Sequence, residues 1–116
     1  MRTCGLQIAS EIALTGRRLS AQEAKSYGLV NRISKSQETL LAEAVELAQQ
    51  IVAISPDAIF VTRQGLREAW ETASVERAVQ VTAERWGEKL MTSENTKIGL
   101  TAFAAKTQPK WVPSKL

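Results

Sequence analysis

Apolar side chains recur every three to four positions along almost the whole chain, a spacing that predicts helices. Leu6, Ile8, Ala9, Ile12 and Ala13 set it for a first helix over residues 6–14. Thr15-Gly16 ends that helix, with Gly16 suited to the left-handed position that follows a helix. Ser20-Ala21-Gln22-Glu23 reads as a capping box opening a short helix that stops at Gly28. Residues 29–33, "LVNRI", alternate apolar and polar and are rich in branched side chains, which predicts one short strand. A lone strand leaves its backbone groups unpaired on both edges, so something outside these residues is expected to pair with it or cover it.

Ser36 is placed to cap a long helix reaching Ala53. Leu40, Ala44, Leu47 and Ile51 form one apolar row on it, with Leu41, Val45, Ala48 and Val52 beside it. So wide a stripe predicts packing on more than one neighbour. Ser55-Pro56 restarts the chain, serine as N-cap and proline at the first helical position, for a helix reaching about Trp70. Ser74 caps a helix through Ala78, Val81, Arg85 and Leu90, and Ser93 caps the last, from Glu94 to about Lys106. Pro109 and Pro113 flank Trp111, so residues 108–116 are expected to be a non-helical, flexible tail hanging clear of the body.

Composition narrows the chemistry. A chain of 116 residues is one domain at most, and no apolar run approaches the ~20 residues a membrane helix needs. The net charge of +3 comes from scattered residues with no basic run or aromatic-interleaved patch, so no nucleic-acid partner is expected. With no histidine, there is no imidazole base and no histidine metal site; one cysteine, Cys4, excludes thiolate zinc clusters and an internal disulfide. No metal site is expected, and Cys4 reads as an inert thiol. Eleven glutamates and Asp57 remain as acids or bases, and they read as solvated surface carboxylates, so no catalytic residue is assigned. Trp70, Trp86 and Trp111 read as packing residues. The last three residues, Ser114-Lys115-Leu116, match the C-terminal address by which a soluble import receptor sends proteins to the peroxisome.

Three ordered segments carry a family resemblance. Residues 14–33, "LTGRRLSAQEAKSYGLVNRI", then "ELAQQIVAISPDAIFVTRQGL", then "SENTKIGLTAFAAKTQPKW" closely resemble the crotonase superfamily, the enoyl-CoA hydratases and isomerases. The resemblance implies a mostly α chain. It would be the C-terminal helical, trimer-forming region of a crotonase-like α/β fold, over residues 1–107, cut short on its N-terminal side and without the β-spiral core. Arg2 and Gly5 would be what remains of the arginine and glycine that lead into the first helix. The family's oxyanion-hole amides and catalytic glutamates lie before the leucine-threonine-glycine motif, and only thirteen residues precede Leu14 here.

The resemblance further implies a coenzyme A thioester as substrate and no separate cofactor. It implies a homo- or hetero-trimer or hexamer, and a ligand rim in which Phe103 would meet a neighbouring subunit's adenine and Lys106 its phosphates. The competing roles are packing for Phe103 and plain surface charge for Lys106. Ile98 departs from the family, which commonly has glutamate before the glycine that is Gly99 here. The expected function is a part of a peroxisomal enoyl-CoA hydratase or isomerase, its family reaction the hydration of a trans-2-enoyl-CoA, acting in β-oxidation or on the fatty-acyl precursor of a secondary metabolite or toxin. Two alternatives stay open: a non-catalytic oligomerisation module pairing with full-length paralogues, or a truncated gene product without a function.

Overall fold

Gly16, at φ 60°, closes the first helix as its sequence position demands, and its amide donates to the Ile12 carbonyl at 3.0 Å. The computed structural model describes residues 3–116; Arg2 lies outside them. Contacts divide the chain into two units, Met1–Val45 and Glu46–Leu116.

The first unit holds α1 (Gly5–Thr15), α2 (Ala21–Ser26) and the start of α3 (Leu40–Val52). The capping box forms: the Glu23 amide donates to Ser20 Oγ at 3.2 Å, and the Ser20 amide donates to Glu23 Oε2 at 3.0 Å. Arg17 ties the two helices, reaching Glu11 at 3.0 Å, Glu23 at 2.9 Å and the Tyr27 hydroxyl at 3.4 Å. These bonds hold the Glu23 carboxyl below its usual range, the Ser20 amide being the main cause and Arg17 the next. Gly28, at φ 72°, makes the turn that follows.

Two expectations fail in this unit. Residues 29–33 form no strand; they run as irregular chain, and their first two amides bond to the Ala24 carbonyl as the close of α2. The alternation was real, but a strand needs a partner edge, and no described residue supplies one. Ser36 does not cap α3. It forms a turn with Thr39, each amide donating to the other's hydroxyl at 3.1 and 3.3 Å, and α3 begins only at Leu40. No residue of α3 is buried, so its wide apolar stripe stays open to solvent.

The second unit is built on α4 (Pro56–Thr72), with Ser55 as N-cap and Pro56 in its first turn. It packs along α5 (Val75–Thr82), capped by Ser74. Gly65 permits the close approach: a Cβ there would lie 3.3 Å from Thr82 Oγ1. The single helix expected from Ser74 to Leu90 is instead α5, a π turn over Ala83–Gly87, and α6 (Glu88–Thr92). The π turn carries Trp86, whose ring meets Phe60 edge-on at 4.8 Å while Lys89 lies 5.4 Å over its face. Ser93 caps α7 (Glu94–Ala105). The core is small: Val61, Ala78, Val81 and Ala102, with Asp57 and Asn95 buried beside them.

Candidate functional site

Helix α7 has two unlike sides. Asn95, Gly99 and Ala102 recur at near-helical spacing along its inner face, and Asn95 and Ala102 are buried. A Cβ at Gly99 would lie 3.2 Å from the Trp111 ring, so glycine there leaves room for that side chain. The outer face carries Leu100 and Phe103, the latter 85% exposed. Lys106 lies one residue past the helix, at φ 53°, where its amide closes the last turn on the Phe103 carbonyl at 3.2 Å. Phe103 is therefore not a packing residue of this chain. It stands at the open end of α7, three positions before a lysine held by a left-handed cap. That lysine sits beyond the helical face that a spacing of three would give it.

Opposite this end, a groove of about 560 Å³ runs between the start of α7 and the tail, with Asp57, Lys89, Ser93, Lys97, Pro113 and Leu116 among its walls. Asp57 is 2% exposed and Asn95 is 1% exposed. The Asn95 amide group donates to Asp57 Oδ2 at 3.1 Å and to the Val112 carbonyl at 3.0 Å, and the Val112 amide donates back to Asn95 Oδ1 at 3.0 Å. Burial pushes the Asp57 carboxyl up, but the Ser114 and Ser93 hydroxyls and the Asn95 amide outweigh it, and its pKa stays below the usual carboxylate value. Such a group is poised as a fixed charge, not as a proton donor at neutral pH.

The expectation of a tail clear of the body fails up to Val112. Trp111 Nε1 donates to the Ala53 carbonyl at 3.0 Å and Val112 is clamped by Asn95. Beyond the clamp, Lys115 Nζ stands 3.5 Å from Glu94, and Leu116 is half-buried. Reading every carboxylate as surface charge missed Asp57. Its place in the first turn of α4 is also where helix dipoles favour a solvated acid, so residue type and position carried no mark of burial.

A third feature is an almost wholly apolar groove of about 530 Å³ between α4 and α5, walled by Val61, Leu66, Ala69, Val75, Val79 and Leu90. Leu66, Val75 and Val79 on its rim are each more than 60% exposed. Trp70 is 55% exposed; the Trp86 ring meets Phe60, and Trp111 donates to the Ala53 carbonyl. Cys4 is a free thiol.

Comparison with known proteins gives one consistent result. A model of the enoyl-CoA hydratase/isomerase family matches residues 1–114. The chain is 47% identical over all its 116 residues to a mevalonyl-coenzyme A hydratase of Aspergillus fumigatus, of which it covers 43%. It is 37% identical over 115 residues to a mevalonyl-coenzyme A hydratase of Beauveria bassiana, covering 41%. Among solved structures, an enoyl-CoA hydratase/isomerase from Mycobacterium paratuberculosis aligns with 96% of this chain and 44% of its own, at a TM-score of 0.83 and 30% identity. The chain thus spans less than half the length of the relatives it matches.

Proposed function

The chain belongs to the enoyl-CoA hydratase/isomerase family, and from that premise we propose that it supplies the C-terminal helical portion of a peroxisomal hydratase acting on a branched β-hydroxyacyl-CoA of the mevalonyl type. The observation that carries this is the 47% identity, over all 116 residues of this chain, with the Aspergillus mevalonyl-coenzyme A hydratase. In this reading water moves to or from the Cα–Cβ bond of a coenzyme A thioester. The groups that move the proton and stabilise the enolate belong to the portion of the family fold that this match does not cover. The substrate class narrows the earlier expectation of a fatty-acyl precursor.

What these helices contribute is a rim and an assembly surface. Phe103 stands free to lie against an adenine, and Lys106 beside it is a cation for a phosphate, each useful only against a neighbouring subunit's coenzyme A. The apolar groove between α4 and α5 and the open stripe of α3 are the faces that subunit assembly would cover. Ser114-Lys115-Leu116 directs the protein to the peroxisome through the import receptor. The test is turnover: the 116-residue chain, given crotonyl-CoA or mevalonyl-CoA, produces no change in enoyl absorbance above the uncatalysed rate. Clear turnover by the isolated chain overturns the division of labour.

The exposed groove also favours a second reading, a non-catalytic module that docks on full-length hydratase subunits. Sedimentation separates the two: such a module co-migrates with a full-length hydratase added in trans.

A further inference from the structure

We propose that Trp111 is a positioning residue for the coenzyme A rim: its indole is a strut that fixes the open end of α7 and so sets where Phe103 and Lys106 stand. The inference rests on the reading of those two side chains as the rim.

The need for a strut comes from the helix end itself. α7 buries Asn95 and Ala102, but every residue from Phe103 to Gln108 is exposed. Its last turn is closed by backbone bonds, from the Lys106 amide to the Phe103 carbonyl at 3.2 Å and from the Thr107 amide to the Ala102 carbonyl at 2.9 Å. A turn with so little burial opens at small cost. Lys106 adds to this, because φ 53° is left-handed backbone that disfavours a residue with a Cβ. A ligand contact made from such an end is weakened by the fraction of time the turn is out of place.

Trp111 supplies the hold. A Cβ at Gly99 would meet its ring atoms Cη2 and Cζ3 at 3.2 and 3.4 Å. Those atoms form the far edge of the six-membered ring. At the other end of the indole, Nε1 donates to the Ala53 carbonyl at 3.0 Å. The rigid bicycle therefore spans from the middle of α7 to the residue that follows α3. Its backbone is fixed as well, because the next residue, Val112, exchanges two bonds of 3.0 Å with the buried Asn95 side chain. Asn95 lies one turn before Gly99, so the returning chain grips α7 at two successive turns. Gly99 in turn lies one turn before Phe103, and positions four apart are neighbours on a helix. The strut ends against the turn that leads into the rim.

The choice of substrate separates positioning from plain packing. A rim that meets the nucleotide acts on a coenzyme A ester and not on a pantetheine ester, which carries the same acyl group without the nucleotide. The experiment uses a full-length hydratase in which this chain replaces the matching portion of the Aspergillus enzyme, with mevalonyl-CoA and mevalonyl-pantetheine as substrates. Trp111→Leu is expected to raise KM for mevalonyl-CoA about fivefold, as a rim in place about a fifth of the time would. It leaves kcat and the KM for the pantetheine ester unchanged. Trp111→Phe keeps a ring against Gly99 and recovers part of the loss. With Phe103→Ala and Lys106→Ala already present, Trp111→Leu adds nothing further, because the groups it positions are gone. Slow amide exchange at the buried Val81 shows that each variant keeps its fold. A rise in KM of equal size for both esters overturns the strut, and so does a Trp111→Leu enzyme with unchanged KM where the rim double variant has a raised one; the rim then stands without it. A rim double variant with unchanged KM removes the rim, and the positioning role of Trp111 with it.

Discussion

Asn95 and Val112, seventeen residues apart, exchange two hydrogen bonds of 3.0 Å each, so one buried amide side chain does for the tail what a paired strand would do. Asn95→Ala removes both, strips Asp57 of its donor, and leaves the Val112 amide and carbonyl without partners. The expected loss is about 3 kcal/mol, the sum of two ordinary bonds and the penalty for groups left unpaired. Denaturant titration followed by Trp fluorescence measures it, and a loss below about 1 kcal/mol would show that the clamp is incidental.

Acid should weaken the same corner. Burial raises the Asp57 pKa, and the nearby Ser114 and Ser93 hydroxyls and the Asn95 amide lower it further than burial raises it, so the folded value lies below the unfolded one. A depressed carboxyl contributes stability that is present above the unfolded pKa, about 4, and is lost as pH falls through the folded value. Glu23 and Glu43, also lowered, act in the same direction in the first unit. Asp57→Asn therefore flattens the fall in denaturant midpoint below about pH 4 without abolishing it. An unchanged acid limb would remove the Asp57 contribution.

Gly99 faces the Trp111 ring with no room to spare. Alanine in mid-helix ordinarily gains about 1 kcal/mol over glycine, but a Cβ here would meet a ring atom at 3.2 Å, and that ring is held by its own hydrogen bond to Ala53. Gly99→Ala should therefore destabilise, by about 1 kcal/mol. In a Trp111→Leu background the same change should become favourable. Equal effects in both backgrounds would show that the ring does not set the cost.

The two ways of joining α1 to α2 differ in worth. Ser20→Ala removes the capping box and should cost about 1 kcal/mol, read as faster amide exchange in α2. Arg17→Ala breaks ion pairs to Glu11 and Glu23 that stand at the surface, and should cost less than half of that. The reverse order would mean that Arg17, not the cap, holds the turn.

Local chemistry made much of this fold legible. Gly16, Ser20, Ser55, Pro56, Ser74 and Ser93 act where their types place them, because capping depends on a few adjacent residues. The strand over 29–33 failed because alternation describes a side-chain pattern, while a strand exists only with a partner. The π turn around Trp86 was hidden, since a single inserted residue shifts the apolar register with no proline or side-chain cap to mark the place. Asp57 and Asn95 were hidden for a different reason. Their burial is created by a tail that returns from the far end of the chain, and the flanking prolines that mark the tail as non-helical say nothing of where it lies. Phe103 and Lys106 could be picked out from the family pattern, and the structure adds that Phe103 is open and that Lys106 sits on a left-handed cap.

We propose that these helices are a working part of a mevalonyl-coenzyme A hydratase. The most direct measurement is kcat and KM of a chimera in which this chain replaces the matching portion of the Aspergillus enzyme. The chimera is expected to turn over mevalonyl-CoA, with Phe103→Ala and Lys106→Ala together raising KM about tenfold and leaving kcat within a factor of about two. A folded, correctly assembled chimera with no turnover, or one indifferent to both substitutions, contradicts it.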